Sequence, residues 1–385
     1  MRWILTSVII WRILLFFIPF IGDFFLIFRT DYTYINLWRY IAPYAPVTSV
    51  FFYPWANFDG VHYLSIAGKG YDVEGRFFPL FPFLIHGVSF LFSPKPFDAI
   101  SFFTSLFVAN ICFFLSLIVF YTLIRLDYTE RVGKQTILTL LLFPTAFFFA
   151  AIYSESLFLL LTLLTFYFLR TKRFLWAGIA AMCVTATRVV GIAILPVIVY
   201  EYYRYYKSNP KLGKQKRIVQ GLPLLLSPLG IAAYMLYSNW KWHDPLYFIH
   251  AQGMLENGRS VNSFVFPLQT LYRYIKILTI NPINQYEWWI ALLELVTFFF
   301  VCSMLYLAWK KGVRFSYLLF AIGCFLIPTL SGTFSGLPRY AAVLFPIYIV
   351  IGLLKNKKLL LAIYSASGIL LFLLLILFSK GYYVA

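Results

Sequence analysis

The sequence predicts an all-α polytopic membrane protein with about eleven transmembrane helices, and three observations predict it. Hydrophobic residues make up 62% of the 385 and charged residues only 12%, a balance that no ordinary soluble domain sustains. Apolar runs long enough to cross a bilayer recur from one end of the chain to the other. The basic residues fall in short links between those runs, so the formal net charge of +18 reports topology rather than affinity for nucleic acid.

A helical span needs about 20 apolar residues, and spans are expected near 4–28, 99–124, 133–151, 155–170, 174–188, 190–203, 217–238, 287–309, 314–331, 338–354 and 359–379. The first run, Trp3 to Phe28, is too long for a signal-peptide core and lacks a small-residue cleavage pattern, so it is expected to stay as the first span. Links 125–134, 170–173, 204–217, 310–314 and 355–358 are rich in Lys and Arg. All of them fall on one side if the N-terminus is cytoplasmic. The chain thus reads as one integral membrane domain, 1–385, with outer loops at about 29–98 and 239–286.

Most carboxylates fall on the opposite side: Asp31, Asp59, Asp72, Glu74, Asp98, Glu155, Asp244, Glu256 and Glu287. That face is the one equipped for chemistry. Residues 77–92 are apolar, carry Pro79 and Pro82, and have both ends outside, which suits a re-entrant or interfacial helix better than a span. Residues 174–203 go out and back in two short legs, placing Thr187, Arg188 and Gly191 at a turn that can lie below the membrane surface, where a buried arginine needs a partner.

The densest polar motif is Trp55-Ala-Asn-Phe-Asp59-Gly-Val-His62-Tyr63, followed by Gly68-Lys-Gly-Tyr71 and Phe77-Phe-Pro79-Leu-Phe-Pro82. A carboxylate ringed by aromatic and glycine residues is positioned and partly desolvated, as a general base requires. The plainer reading makes Asp59 a cap at the start of a helix over 60–67. His62, three residues on, shares a helical face with Asp59 and can orient it, bind phosphate, or simply pack.

The motif resembles the first outer loop of PIG-V-like mannosyltransferases, the family of GPI mannosyltransferase II. Later pieces agree in order: Tyr153-Ser-Glu155-Ser-Leu-Phe158, Thr187-Arg188-Val-Val-Gly191, and Pro338-Arg339-Tyr340 with Phe345-Pro346. The resemblance covers most of the chain. It implies a GT-C type glycosyltransferase fold, a catalytic Asp59, and a polyprenyl-phosphate sugar as donor, with mannose the expected hexose. It also implies a metal-independent enzyme without a cofactor, and no metal-ligand spacing occurs among the His and acidic residues.

Beside the catalytic Asp59, the substrate-binding candidates are His62, Glu155, Arg188, Asp244, Arg339 and Tyr340. Arg188 and Arg339 lie on outer turns, where they can hold a leaving phosphate or serve as snorkelling interfacial cations. Glu155 divides between helix capping and contact with acceptor or phosphate. Trp242-His243-Asp244-Pro245 offers a His–Asp pair beside aromatics for sugar hydroxyls, against an Asp-Pro turn. Asp23 and Glu294 are carboxylates inside apolar runs, which cost a few kcal/mol unless they face protein or a cavity. The four cysteines have no disulfide or metal spacing and read as packing residues. Arg204 to Arg217, six basic residues without an acid, reads as a topology signal facing anionic headgroups.

The expected reaction is inverting transfer of the hexose to an acceptor hydroxyl on a lipid or glycan, at the extracytoplasmic face of a prokaryotic plasma membrane, or of the endoplasmic reticulum in a eukaryote. The expected partners are therefore the lipid-linked donor, the acceptor and membrane lipids, with no nucleic acid. A lipid or glycolipid flippase is the alternative from another class. It would carry polar residues near the midplane on several broken helices and on both sides, rather than concentrated on one face.

Overall fold

In the computed structural model, residues 2–29, 49–92, 99–210, 213–253, 259–260 and 264–384 are described. Asp31, Asp98 and Glu256 lie outside these. The described residues form helices joined by turns and loops, with one isolated bridge pairing Val265 and Ser331. Five helices are long and apolar enough to cross a membrane: Arg2–Gly22, Ala99–Ile124, Ile218–Trp242, Tyr286–Lys310 and Lys357–Ser379. On the first of them Leu5, Ile9, Ile13 and Phe17 form an exposed apolar stripe at four-residue spacing. Ile4, Trp11, Leu15 and Ile18 face inward. An apolar surface on both sides of a helix is what a lipid solvent selects.

The remaining expected spans are shorter or interrupted, so a count of eleven does not follow from helix length. The run at 133–151 is an Glu130–Leu141 helix and an Ala146–Phe149 turn of 3₁₀ helix, broken at Pro144. The run at 338–354 divides into Leu337–Ala342 and Pro346–Gly352. In each case a proline lacks the N–H that would continue the helix. The first helix ends at Gly22 rather than 28, and Asp23 beyond it pairs with Lys380. The apolar 77–92 segment forms the Leu80–Phe90 helix, 11 residues long. At about 1.5 Å per residue this is too short to span.

Backbone contacts divide the chain into two compact units, 1–160 with 352–384, and 161–351. In the first, Arg2–Gly22 packs along Lys357–Ser379 and against Ala99–Ile124. Trp11 donates its indole N–H to the Leu141 carbonyl at 2.7 Å. The last long helix is capped by Asn356, whose Oδ1 accepts from the N–H groups of Lys358 and Leu359, satisfying two of the donors a helix start leaves open. Asp59–Lys69 and Leu80–Phe90 pack on each other, and both lie against Ala99–Ile124.

In the second unit the helices approach closely through small residues. A Cβ on Gly178 would stand 2.0 Å from the Pro223 carbonyl oxygen, and one on Gly230 would stand 2.0 Å from that of Met182. Side chains at either position would force Phe174–Thr185 away from the segment 222–242. Arg314 grips Glu201 with two parallel bonds of 2.7 Å, Nε to Oε1 and Nη2 to Oε2. This bidentate pair fastens Ile194–Ser208 to Phe315–Thr329. The four cysteines form no disulfide.

Candidate functional site

In the first unit the backbone leading to Asp59 is held from several sides. Pro54 lies in the first turn of the 3₁₀ helix Tyr53–Ala56, a position where its missing N–H leaves no orphan. Trp55 is fully buried and donates to the Phe51 carbonyl at 2.8 Å. Its own carbonyl accepts from the Ile152 N–H at 2.8 Å. Asn57 donates its amide to the Phe378 carbonyl at 2.9 Å, and its carbonyl accepts from the Tyr153 hydroxyl at 2.8 Å. Phe58 then adopts φ 59° and ψ −112°, a conformation that a residue with a side chain rarely takes and that costs about 1–3 kcal/mol. Its ring packs on Phe378 and Tyr383, with centroids 5.6 and 5.4 Å away.

That strained residue is the N-cap of Asp59–Lys69, and no side chain caps it. Asp59 is therefore the first helical residue and not the cap expected for a 60–67 helix. It is half-buried and sits where the helix dipole favours a negative charge. Gly60 follows, and a Cβ there would make an ordinary contact with the 152 segment, 3.4 Å from the Ile152 carbonyl oxygen.

One turn on, His62 is buried and stacks on Phe77 at 4.8 Å with 22° between the rings. Arg76 Nη2 stands 3.3 Å from His62 Nε2. A guanidinium only donates, so this nitrogen accepts and the proton belongs on Nδ1. Burial, and then the Arg76 charge, push the imidazole down to about 4, while Asp59 and Glu74 oppose the shift. His62 is thus a neutral ring within the electrostatic reach of Asp59.

Tyr63 donates to the Ser154 hydroxyl at 2.8 Å, and its ring meets Phe77 and Phe81 edge-on. The three parts of the motif, Asp59 to Tyr63, Phe77 to Phe81 and the turn at 153–156, are brought together by these contacts. Glu155 is 1% exposed as the first residue of Glu155–Arg170. The preceding Ser154 carbonyl accepts the Phe158 N–H.

The second unit gathers cations around Tyr340. Arg188 is the extended N-cap of the Val189–Ala193 turn and is 8% exposed. Its guanidinium carbon lies 5.2 Å from the Tyr340 ring centroid. The partner that a buried arginine needs therefore includes an aromatic face. Arg259, which the sequence did not single out, lies 5.6 Å from the same centroid. Arg339 and Tyr340 are half-buried on the six-residue Leu337–Ala342 helix.

The turn at 331–336, just before that helix, is fixed by a polar network. Arg259 donates to the Ser335 carbonyl at 2.9 Å, and Arg273 donates to that of Gly332 at 3.1 Å. Tyr274 donates to Glu294 Oε2 at 2.5 Å and accepts the Phe334 N–H at 3.0 Å. Burial, then the Glu294 charge, push the Tyr274 phenol well up, so it stays a donor. Glu294 also receives the Gly336 backbone N–H and feels the charge of Arg259. Gly332 and Gly336 both take positive φ, 83° and 79°, which the turn requires. Glu294 is thus a buried structural acceptor at the root of the Arg339–Tyr340 turn.

Asp244 takes the Asp-Pro turn reading, and its histidine partner is His250 rather than the adjacent His243. His250 Nδ1 lies 2.6 Å from Asp244 Oδ2, and the Leu246 N–H donates to Oδ1 at 2.9 Å. The His250 bond, first, holds the carboxyl below its ordinary value. His243 instead takes φ 56° and closes Leu229–Trp242 in the left-handed conformation. Asp244 lies in the turn before the Tyr247–His250 helix, six residues from His250, a separation that no regular helical spacing announces. Arg259, Arg273, Tyr274 and Glu294 come together from distant parts of the chain and carried no local pattern either.

Among solved structures, the chain is similar to the oligosaccharyltransferase AglB of Archaeoglobus fulgidus in complex with an inhibitory peptide and a dolichol-phosphate. Identity is 13% and the TM-score 0.49, with 99% of this chain and 56% of that one covered. The apo form of the Archaeoglobus fulgidus oligosaccharyltransferase matches at 13% identity and TM-score 0.44, over 92% of this chain and 57% of that one. The chain therefore spans little more than half the length of these structures. No curated protein matches it. The family model for mannosyltransferase (PIG-V) matches residues 4–278, a stretch that contains Asp59, His62, Glu155, Arg188, Asp244 and Arg259. With well over half of its length matched, the chain belongs to the mannosyltransferase (PIG-V) family.

Proposed function

We propose that the protein is a multi-spanning GT-C glycosyltransferase that moves a hexose, mannose by family, from a polyprenyl-phosphate sugar to an acceptor hydroxyl with inversion. Eleven crossings with the N-terminus on the basic side would put Asp59, Glu155, Arg188 and Arg339 on the extracytoplasmic face. Nucleotide sugars are cytoplasmic, so a transferase acting there takes its sugar from a membrane lipid.

Asp59 takes the acceptor hydroxyl proton as the acceptor oxygen bonds to the anomeric carbon. The bond from that carbon to the phosphate oxygen breaks in the same displacement, and polyprenyl monophosphate leaves with the electron pair. A phosphate is already a good leaving group, so fixed positive charge and hydrogen-bond donors are required of the protein rather than a strong acid. Arg188 and Arg339 supply them. Tyr340 orients the guanidinium of Arg188, and Glu155 and Asp244 contact sugar or acceptor hydroxyls. His62, neutral and held by Arg76, positions the Asp59 carboxylate.

The observation that carries this reading is the strained, multiply fastened backbone at Asn57–Phe58, which sets one half-buried carboxylate at a helix start. Strain of this kind persists where surrounding structure enforces it, and it clusters at functional sites. The test is transfer of radiolabelled mannose from polyprenyl-phosphate mannose by the purified chain in liposomes. Label appearing covalently on a new product supports the reading. Label recovered only on the original lipid, moved between leaflets, supports a flippase instead.

A further inference from the structure

Arg12 stands ten residues from each end of the Arg2–Gly22 helix, about 15 Å along its axis in either direction. A cation at such depth in a membrane-crossing helix is costly and marks a functional position. The reaction set out above does not use it. Its guanidinium carbon lies 4.1 Å from the Trp55 ring centroid and 4.9 Å from that of Phe16. Nη1 and Nη2 are both buried, and no hydrogen-bond acceptor among the described residues meets either of them.

Trp55 is itself fully buried, spends its indole N–H on the Phe51 carbonyl and gives Arg12 a ring face. An aromatic face attracts a cation, but it does not replace the acceptor oxygens that the four Nη hydrogens of a guanidinium demand. Arg12 as a whole is half-buried, so its exposed area belongs to the stem and Nε. Leu5 and Ile9, one and two turns back on the same helical face, are exposed members of the apolar stripe. A rotation of the flexible stem therefore brings the guanidinium to a lipid-facing flank. A soluble anion reaches that flank only across apolar surface, whereas an anion carried on a hydrocarbon chain arrives from the lipid itself. Phosphate oxygens fit the guanidinium fork two at a time.

We propose that Arg12 binds the phosphate oxyanion of a membrane lipid, with Trp55 and Phe16 as aromatic walls. Trp55 lies four residues before Asp59 in a backbone fastened to Ile152, so the site adjoins the segment that sets Asp59. This goes beyond the donor assignment made above and stands without it, since a polyprenyl monophosphate and a glycerophospholipid both carry the required group.

The experiment measures equilibrium binding to the purified full chain in dodecyl maltoside, with radiolabelled farnesyl monophosphate, phosphatidylglycerol, farnesol and inorganic phosphate as probes and thermal melting recorded for each variant. Arg12→Gln is expected to weaken lipid-phosphate binding about ten- to a hundredfold, the loss of one hydrogen-bonded charge contact. Arg12→Lys should fall between it and wild type, since lysine keeps the charge without the fork. Arg125→Gln removes the same charge from an exposed residue that donates to the Tyr128 carbonyl, and it should stay within about threefold of wild type. Loss of farnesyl monophosphate binding in Arg12→Gln supports the site with a prenyl phosphate as occupant. Loss of phosphatidylglycerol binding, in a chain whose wild type ignores farnesyl monophosphate, supports the site with a resident phospholipid and overturns the donor reading instead. Binding of both lipids by Arg12→Gln at wild-type strength overturns the proposal and leaves the donor reading in place, and a wild type that binds neither lipid overturns both. An equal loss in Arg125→Gln also overturns the proposal, as does farnesol or inorganic phosphate binding as tightly as the lipid phosphates. Where melting shows that the Arg12 variants do not fold, photoreactive diazirine analogues of the two lipids are cross-linked to the wild type. Adducts on Arg2–Gly22 or Tyr53–Ala56 then support the site, and adducts on neither overturn it.

Discussion

Tyr63 and Ser154 are joined by a hydrogen bond of 2.8 Å that ties the helix beginning at Asp59 to the turn that precedes Glu155. Both residues are buried, so the bond is made in surroundings where an unmade one is expensive. Tyr63→Phe keeps the ring contacts with Phe77 and Phe81 and leaves the Ser154 hydroxyl without its donor. A destabilisation of about 1–3 kcal/mol is expected, with a fall in transfer rate because the Asp59 helix loses its tether. Thermal melting of the purified variant, read beside its activity, checks both.

At Phe58 the backbone strain and the side-chain packing separate under mutation. Phe58→Ala removes the ring and keeps a Cβ at φ 59°, whereas Phe58→Gly removes the ring and relieves the strain. The glycine variant is expected to be the more stable of the two by about 1–3 kcal/mol, although it deletes more atoms. Both should be less stable than wild type, since an aromatic side chain leaves its contacts with Phe378 and Tyr383. Comparative melting of the three proteins decides; an alanine variant as stable as the glycine variant would mean that the conformation carries no strain.

Glu294 separates hydrogen bonding from charge. Glu294→Gln keeps an acceptor oxygen for the Tyr274 hydroxyl and the Gly336 N–H, so the turn at 331–336 should survive. Glu294→Leu leaves both donors unsatisfied and should weaken donor binding at least tenfold, by displacing the Arg339–Tyr340 turn. Measured donor affinities of the two variants check this. Equal loss in both would instead make the negative charge the essential property.

His62 gives a pH dependence with a definite sign. Its folded value, about 4, lies below the roughly 6.5 of an unfolded imidazole. Between those values the unfolded chain binds the proton and the folded chain does not, so stability rises with pH across the window. The contribution is present in full above about pH 6.5 and is lost as pH falls through about 4. Wild type should therefore melt at progressively lower temperature from pH 6.5 to 4.5, and His62→Gln should show a shallower slope. An unchanged slope in the variant would remove His62 from the balance.

How far the sequence reached depends on how local each relationship is. The stretch from Trp55 to Pro82 was legible because its functional residues are close in the chain and its aromatic residues pack on one another: His62 on Phe77, Tyr63 on Phe77 and Phe81. The long helices were legible because an apolar run is itself the signal. The broken runs at 133–151 and 338–354 were read as continuous because hydropathy outweighed Pro144 and Pro346 in that reading. The Asp-Pro turn at Asp244 was legible in the sequence, whereas its pairing with His250 rather than the adjacent His243 was not, because the two lie six residues apart on either side of that turn. Glu294 stood out only as a costly carboxylate; its partners Tyr274 and Gly336 come from other segments, and no local spacing announces them. The same holds for the contact between Arg259 and Tyr340, although Tyr340 itself stood out in the Pro338-Arg339-Tyr340 motif.

The central claim is that Asp59 removes the proton from the acceptor, and single-turnover transfer by Asp59→Asn tests it most directly. Asparagine keeps the size of the side chain and removes its basicity, so donor binding should persist while the chemical step slows by about 10²–10⁴-fold, the usual contribution of a general base. An asparagine variant that transfers sugar at the wild-type rate, with donor and acceptor saturating, would contradict the account.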